Sequence, residues 1–259
     1  MKAIIIAAGK GKRLKHYSEN LPKCLLPVGD KSILEWQIET LKSFDIREIS
    51  IVKGYQADKI NFPGFRYYLN ERYEFNNILN SLMCAKAEVC GEVLISYSDI
   101  LYGRRVVERL LASPHDIAVV TDVDWKEQYV GRVDHPLSEA ETVLLGEGDR
   151  LLEIGKRMRR KAEANGEFIG MIKLSARGAE TFTRCYEQAR ERFWGKPFVA
   201  ADTFENAYLT DMLQFLIDEG ETLYGVPIEG GWREIDTVAD YEKACRDLGA
   251  QPALFEGRS

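Results

Sequence analysis

The feature that most constrains this chain is a short apolar run that leads directly into a glycine-rich basic turn. Residues 4–8 (IIIAA) are continuously apolar, which is typical of a strand buried on both faces of a parallel sheet. Residues 9–13 (GKGKR) follow at once. Glycines let the backbone approach a ligand and present several N–H groups to it, and the planar guanidinium of Arg13 suits phosphate oxygens. Lys23 follows Pro22, which favours an extended backbone there. The arrangement predicts a cradle for a polyphosphate.

The spacing of this turn excludes two well-known phosphate-binding loops. No Gly-Lys-Ser/Thr closes it, so it is not a Walker A loop. Gly9 and Gly11 match the start of the dinucleotide-binding fingerprint, but Leu14 stands where the third glycine belongs. On local residues alone, an ordinary surface turn between a strand and a helix stays open, because short glycine motifs are weak signals.

Strand and helix patterns alternate over roughly the first 112 residues. The helix after the turn begins with a capping box formed by Ser32 and Glu35. This alternation predicts an α/β fold with a mostly parallel central sheet covered by helices on both faces. Ligands in such sheets bind at the carboxyl ends of the strands, so we expect Gly9, Gly54 and Asp99 to lie on one rim. The further predicted elements are strands at 48–52, 65–69 and 92–98 and helices at 77–87 and 104–111.

The middle of the chain has a different pattern, with several strands and few helices between them. We expect residues 116–175 to form a mixed-sheet insertion that covers the site as a lid. Since no credible linker interrupts the sequence, residues 1–259 are expected to form a single domain. The predicted elements from here on are strands at 116–122, 141–145, 151–155, 168–173 and 222–228 and helices at 178–192, 204–219 and 238–248.

Composition indicates a soluble cytoplasmic enzyme, with 45% hydrophobic and 29% charged residues. No apolar run reaches the length of a membrane span and no signal peptide is evident, so no membrane partner is expected. The net charge of -6 argues against general nucleic-acid binding, although local Lys and Arg residues can still dominate a nucleotide site. The five cysteines are scattered and odd in number, which predicts reduced thiols. The three histidines form no close pair, so a zinc site is not expected.

Two aspartates occupy positions that suit a functional site. Asp99 follows the predicted strand 92–98, and Asp236 lies in residues 234–238 (EIDTV), just before the last helix. Each also has a purely structural explanation. Asp99 suits a turn at a strand end, and Asp236 suits a helix N-terminus, where the helix dipole favours negative charge.

The glycine turn, a later Pro-Lys pair and the helix that follows resemble the opening of the nucleotidyltransferases that activate sugar phosphates and phosphocholine. Gly9, Gly11 and Arg13 match the G-x-G-x-R turn of that family, and Pro22 and Lys23 match its Pro-Lys pair. The resemblance implies the nucleotide-diphospho-sugar transferase fold. That fold is a Rossmann-like three-layer sandwich with a mostly parallel central sheet and a small mixed β lid.

The same resemblance implies roles for particular residues. Lys23 and Arg13 would act in catalysis from a segment that we expect to be exposed. Asp99 and Asp236 would hold Mg²⁺ as the cofactor, although many relatives carry two acidic residues around the first of these positions and this chain has one. The residues implied in nucleotide binding are Ala8, Gly9, Gly11, Lys12, Arg13, Tyr55, Asn76, Asn77 and Ser81.

Two segments narrow the resemblance to cytidylyltransferases. Residues 70–82 are similar to the N-x-x-Y…N-N-x-x-S-L region of phosphocholine and 2-aminoethylphosphonate cytidylyltransferases, and residues 129–141 resemble cytidylyltransferase domains linked to phosphonate biosynthesis. This implies transfer of CMP from CTP to a small phosphonate or phosphate with release of pyrophosphate. Asn76 and Asn77 can hydrogen-bond a pyrimidine edge or cap the next helix. The alternatives are a sugar-1-phosphate nucleotidyltransferase using UTP, dTTP or GTP and, from another class, a non-catalytic nucleotide-binding regulator.

A few residues are weaker candidates for binding the acceptor. Lys156 suits a phosphate or phosphonate, or belongs to a basic cluster on a solvated face. Glu167 lies in a segment similar to the one where relatives hold the acceptor, and a buried strand explains it equally well. Asp122 and Trp125, with Tyr129 nearby, combine negative charge and aromatic rings, which suits an ammonium group. The alternative for them is an exposed loop.

Overall fold

The computed structural model describes residues 1–132 and 134–250. Its centre is a nine-stranded sheet, accompanied by two small two-stranded sheets. The strands are β1 Lys2–Ala7, β2 Pro27–Val28, β3 Lys31–Ser32, β4 Glu48–Lys53, β5 Arg66–Leu69, β6 Val93–Tyr97, β7 Ile100–Tyr102, β8 Ile117–Asp122, β9 Thr142–Leu145, β10 Leu151–Gly155, β11 Gly166–Leu174, β12 Tyr224–Ile228 and β13 Trp232–Glu234. The α-helices are α1 Ile33–Lys42, α2 Ile78–Leu82, α3 Arg104–Ala112, α4 Ala176–Phe193, α5 Leu209–Asp218 and α6 Val238–Ala250.

The apolar run at the start of the chain forms β1, which is buried on both faces. Ile4 and Ile6 pack into the core that contains α4 and α5. Ile5, on the opposite face, packs into the core that contains α1 and α3. Side chains alternate across a strand, so the uninterrupted apolar run supplies both cores. The predicted sheet with helices on both faces is confirmed.

Most strands of the central sheet run in one direction. The strands β6, β1, β4 and β5 are neighbours and parallel. On the other side, β11 runs antiparallel to β6, β8 and β9, and β12 runs parallel to β8. Only β10 and β11 oppose the common direction within this sheet. The carboxyl ends of β1, β4 and β6 therefore meet on one rim, as predicted.

The strands predicted within 116–175 join the central sheet directly, through β11. Residues 171–174 of β11 pair with β6, whereas residues 166–167 pair with β9. Between them, Gly170 has a φ of +88° and lies against the Tyr97 ring, where a Cβ would be 2.5 Å from the nearest ring carbon. The bend carries Glu167 past the carboxyl end of β6.

A small antiparallel pair, β7 and β13, brings the end of the chain to the same rim. Glu234 pairs with Ile100, and the backbone N–H of Ile235 donates to the carbonyl of Asp99 at 2.8 Å. Asp236 is the next residue. This pairing therefore places the two candidate metal-binding aspartates side by side.

Two predicted helices are shorter in the structure than in the prediction. The segment 77–87 is helical as α2 only to Leu82, and a 3₁₀ segment follows in which Ala85 leaves helical geometry. The segment 204–219 begins with a short 3₁₀ turn, and α5 starts at Leu209. None of the helices in the described residues is long and apolar enough to cross a membrane.

Candidate active site

The glycine-rich turn after β1 forms one wall of a cavity, here called the turn cavity. Gly11 adopts a left-handed conformation with φ of +62°, and a Cβ there would be 3.1 Å from the Cβ of Lys23. The hydroxyl of Ser18 donates to the carbonyl of Gly11 at 2.7 Å and closes the turn. Glycine at position 11 therefore lets the turn lie directly on the Lys23 side chain.

Lys23 lies between the two aspartates. Its ammonium is 2.9 Å from Asp99 Oδ2 and 2.7 Å from Asp236 Oδ1. Although burial lowers the pKa of Lys23, Asp236 and Asp99 raise it well above its ordinary value, so the ammonium stays charged. Lys23 is only 7% exposed. The expectation of an exposed lysine was wrong, because the turn and both aspartates cover it.

Asp236 is surrounded by basic side chains. Besides Lys23, its carboxylate forms an ion pair with Arg13, and His135 Nδ1 lies 3.1 Å from its Oδ2. Burial raises the pKa of Asp236, but Lys23, His135 and Arg13 together hold it well below the ordinary range. Arg13 is about half exposed and reaches the carboxylate from the rim of the cavity.

The donor set around Asp99 and Asp236 fits a divalent cation. Asp99 Oδ1 is buried and has no hydrogen-bond partner among the described residues. The two carboxylates already share one cationic group, the Lys23 ammonium. One or two carboxylates that leave room for phosphate oxygens and water are the ligands that Mg²⁺ prefers.

A second cluster of metal-binding residue types lies beside this pair. The ligand atoms of His135, Glu234 and Asp236 lie within 4.8 Å of one another. Arg132 is 2.9 Å from Glu234, and Arg13 pairs with Asp236. These guanidinium groups already neutralise the carboxylates, so the cluster is explained without a metal ion.

Most of the residues expected to bind the nucleotide line the turn cavity. Tyr55 does not: its hydroxyl donates to the carbonyl of Glu19 at 2.6 Å and its N–H donates to the carbonyl of Ala8, so it supports the turn from behind. This placement corrects the expectation for Tyr55. The predicted nucleotide-binding residues in the lining are Ala8, Gly9, Gly11, Lys12, Arg13, Asn76, Asn77 and Ser81.

The two asparagines in this lining also have structural partners. Asn77 is the N-cap of α2, and its side-chain oxygen accepts from the N–H of Ile78 at 2.9 Å. Asn76 exchanges hydrogen bonds with the side chain of Asn70 at 2.8 and 3.2 Å. The capping role is therefore observed for Asn77, while Asn76 is held in place by its neighbour.

A second cavity, here called the strand cavity, adjoins the first beside β11. Arg13, Tyr97, Asp99, Lys156 and Asp236 belong to the walls of both cavities. A molecule in the strand cavity would therefore meet a molecule in the turn cavity next to the two aspartates.

Of the four weaker acceptor candidates, Lys156 and Glu167 line the strand cavity. Asp122 does not: it is fully buried, and it accepts hydrogen bonds from Trp232 Nε1 at 2.7 Å and from the N–H of Gly230 at 3.1 Å. Trp125 is 5% exposed and packs in a small separate core. The expected wall formed by Asp122 and Trp125 is corrected, because both side chains serve packing behind the site.

The strand cavity is rich in carboxylates. Glu141 accepts a hydrogen bond from the hydroxyl of Thr210 at 2.9 Å, and burial raises the pKa of Glu141 to about 7 despite the nearby Lys156. Burial also raises the pKa of Glu167 well above its usual range, and the hydroxyl of Tyr129 donates to one of its oxygens. These carboxyl groups are poorly solvated and respond strongly to any cation placed beside them.

Sequence reasoning missed several residues of the site. His135, Arg132 and Glu141 belong to the segment 129–141, whose resemblance pointed to phosphonate enzymes without assigning a role to any of them. Arg132 is 102 positions from its partner Glu234. The only available signal was that this segment mixes Arg, His and Glu with an aromatic residue.

Comparison with known proteins places these features in a family. Residues 3–168 match the MobA-like NTP transferase domain. Over 254 residues the chain is 32% identical to CTP:phosphoglutamine cytidylyltransferase of Campylobacter jejuni, covering 93% of this chain and 98% of that protein. It is 38% identical to choline-phosphate cytidylyltransferase of Streptococcus pneumoniae over 106 residues, which is 39% of this chain and 46% of that protein.

A solved structure agrees with this assignment. The structure of CTP:phosphocholine cytidylyltransferase from Streptococcus pneumoniae has a TM-score of 0.70 at 25% identity and covers 95% of this chain and 98% of that one. The resemblance that began with the glycine turn and the Pro-Lys pair is thus confirmed across the chain. The glycine-rich turn, the buried lysine and the paired aspartates lie on one rim of the sheet. By its sequence, this chain belongs to the MobA-like NTP transferase domain family, among the nucleotidyltransferases.

Proposed function

We propose that this protein is a Mg²⁺-dependent cytidylyltransferase that transfers CMP from CTP to a small phosphate- or phosphonate-bearing acceptor. The observation that carries the proposal is the Lys23 ammonium. It is held between Asp99 and Asp236 where the two cavities meet. A fixed positive charge at such a junction suits a phosphoryl group that passes from one substrate to the other.

The reaction needs charge control more than proton transfer. An acceptor oxygen that is already ionised attacks the α-phosphorus of CTP, a new P–O bond forms, and pyrophosphate leaves. The N–H groups of the glycine turn and Arg13 would hold the terminal phosphates, and Lys23 would stabilise the charge at the α-phosphate. Mg²⁺ held by Asp99 and Asp236 supplies the remaining positive charge when bound. Positioning and neutralisation then account for catalysis.

The relatives support the choice of CTP and of a small acceptor. Three relatives are CTP:phosphoglutamine cytidylyltransferase, choline-phosphate cytidylyltransferase and CMP-5'-(3-aminopropyl)phosphonate synthase. In this chain, Lys156 lies at the cavity junction and would bind the phosphate or phosphonate of the acceptor. Asn76 and Ser81 lie in the wall of the turn cavity where they would contact the nucleoside.

A pyrophosphate-release assay tests the proposal. CTP, UTP, dTTP, GTP and ATP are each combined with phosphocholine, 2-aminoethylphosphonate, phosphoglutamine and glucose 1-phosphate, with and without Mg²⁺. We expect release that requires Mg²⁺, prefers CTP and depends on an acceptor. Asp99→Asn should lower kcat by orders of magnitude, whereas Asp45→Asn, on an exposed turn, serves as the unchanged control.

Two outcomes would contradict the proposal. Equal or better turnover of UTP or dTTP with glucose 1-phosphate would assign the protein to the sugar-phosphate enzymes. Nucleotide binding without pyrophosphate release for any acceptor would favour a regulator.

A further inference from the structure

Glu167 belongs to the wall of the strand cavity and carries a buried carboxylate oxygen that has no partner among the described residues. Glu167 is 4% exposed, and its Oε2 has no hydrogen-bond partner within the described residues. A buried polar atom left without a partner costs free energy. An oxygen of this kind in a cavity wall is well suited to accept a hydrogen bond from a ligand.

The surrounding structure fixes the Glu167 carboxylate. Residue 167 pairs with Asp122 of β8 on one side and with Thr142 of β9 on the other, so its backbone is held within the sheet. The hydroxyl of Tyr129 donates to the other carboxylate oxygen, and the Arg132 guanidinium stacks 5.0 Å from the centre of the Tyr129 ring. A receptor group that is fixed before binding loses little entropy when the ligand arrives.

The charged side chains of the cavity wall indicate which kind of hydrogen-bond donor a ligand would present to Glu167. The wall includes the carboxyl groups of four glutamates. Two of them already have cationic partners, since Glu139 lies 3.4 Å from Lys156 and Glu234 lies 2.9 Å from Arg132. The other two are Glu141 and Glu167. The positive groups of the lining, Arg13 and Lys156, belong to the walls shared with the turn cavity, where the phosphoryl chemistry is placed. Glu167 Oε2, which has no partner among the described residues, is therefore the carboxyl oxygen left to meet a positive charge on a ligand whose phosphate lies near Arg13 and Lys156.

We propose that Glu167 is the specificity-determining residue for a cationic amino group on the acceptor, which it binds through Oε2. The inference rests on the proposed function, and it assigns the acceptor to phosphates or phosphonates that also carry an ammonium. The receptor is Glu167 held by Tyr129, in place of the wall expected from Asp122 and Trp125. A nearby ammonium also offsets the cost of ionising the buried carboxyl group.

Pairs of acceptors that differ only in the amino group test this proposal. The pairs are 2-aminoethyl phosphate with ethyl phosphate, 2-aminoethylphosphonate with ethylphosphonate, and phosphoglutamine with its counterpart lacking the α-amino group. In the wild type, kcat/KM with CTP should favour the amino-bearing member of a pair. Glu167→Gln keeps the shape and removes the charge, so the preference should fall about 10- to 100-fold while kcat/KM for the partner without nitrogen stays within about 3-fold.

Two further variants separate recognition from folding. Glu163→Gln alters an exposed glutamate outside the cavity and should leave the preference unchanged. Tyr129→Phe removes the hydroxyl that positions Glu167 and should lower the preference by a smaller factor, with little effect on the acceptor without nitrogen. Glu167→Gln could not be interpreted if it lowered the thermal midpoint and partly unfolded the protein. In that case the ratio of kcat/KM between paired acceptors, measured in Tyr129→Phe, still tests recognition of the amino group.

The outcomes distinguish this inference from the proposed function. CTP-dependent turnover with no preference for the amino-bearing member, or a preference that Glu167→Gln leaves intact, would overturn the inference alone. A clear preference for glucose 1-phosphate over every amino-bearing acceptor would also overturn it. Absence of pyrophosphate release with any acceptor would overturn the proposed function itself.

Discussion

At the scale of single residues, the site depends on charge balance around one buried ammonium. Lys23 neutralises Asp99 and Asp236, while Arg13 also pairs with Asp236 and His135 Nδ1 lies 3.1 Å from it. Buried charges are tolerated when they are paired, and removal of one partner exposes the cost of the other. The residue expected to act on the chemistry therefore also supports the fold.

Lys23→Met should reduce both activity and stability. The loss of an electrostatic contact to the transition state is expected to lower kcat about 10²- to 10³-fold. Two adjacent carboxylates left without their ammonium should lower the free energy of unfolding by up to about 3 kcal/mol. Steady-state kinetics and urea unfolding measure the two effects separately.

A double substitution separates these two roles. Asp236→Asn added to Lys23→Met removes one of the unpaired charges, so part of the stability should return while activity does not. Lys12→Met, on the exposed part of the same turn, is the control for stability. A Lys23→Met variant as stable as the wild type, or one that turns over normally, contradicts the charge-balance account.

The site residues that the sequence predicted belong to short motifs, whereas those that it did not predict are defined by contacts with residues far away in the sequence. Lys23 and Asp236 stood in short motifs whose residue types and order were visible in the sequence. Arg132 contacts Glu234 and Asp240, which are 102 and 108 positions away. No local pattern encodes such a contact, since it depends on how the loop after β8 lies against the end of β13.

At the scale of elements, the capping signal placed the start of α1 correctly, whereas the start of α5 was predicted five residues too early. The capping box of α1 is confirmed: the N–H of Ser32 donates to Glu35 Oε2 at 2.8 Å, and the N–H of Glu35 donates to the Ser32 hydroxyl at 3.3 Å. The bend of β11 at Gly170 was not predicted, because an isolated glycine in a strand pattern signals a bulge or a close approach without saying which. The structure shows that it is a close approach to the Tyr97 ring.

Gly170→Ala should disturb the bend that carries Glu167 past β6. Its φ of +88° is unfavourable for alanine, and the new Cβ would lie 2.5 Å from the Tyr97 ring. We expect the free energy of unfolding to fall by at least about 2 kcal/mol, through backbone strain and overpacking together. Urea unfolding measures the loss.

Gly64→Ala is a matched control for this prediction. Gly64 has nearly the same φ, +86°, but a Cβ added there would have nothing within 4 Å of it. It should cost only the backbone strain, about 1 kcal/mol. Equal losses in the two variants would show that the contact with Tyr97 adds nothing.

At the scale of the whole molecule, both ends of the chain build one site. The Lys23 ammonium and the Asp236 carboxylate are 213 positions apart and 2.7 Å distant. The helix α6 closes this arrangement, since the hydroxyl of Tyr241 donates to the carbonyl of Pro27 at 2.7 Å and its ring packs on Tyr17. The strand and helix order was predictable from periodicity, but this meeting of the ends came only from the family resemblance, because the periodicity of a segment carries no information on its distant neighbours.

The pH dependence of global stability should carry the signature of Glu141. Burial raises its pKa from 4.5 to about 7 in the folded protein. A carboxyl group whose pKa is raised by folding stabilises the fold while it is protonated, and that contribution is lost as the pH rises through its folded pKa. Glu141→Gln stays neutral, so relative to the wild type it should gain up to about 3 kcal/mol in free energy of unfolding between about pH 5 and about pH 8.

Urea unfolding of both proteins at the two pH values measures this gain as a difference, which cancels the titration of groups that the proteins share. Glu147→Gln, at an exposed position, is the control and should follow the wild type at both pH values. A gain that is the same at both pH values would mean that Glu141 ionises normally. The Glu141 carboxyl group would then be mostly charged in the strand cavity at both pH values, and it would attract an ammonium beside Glu167 with little cost of ionisation.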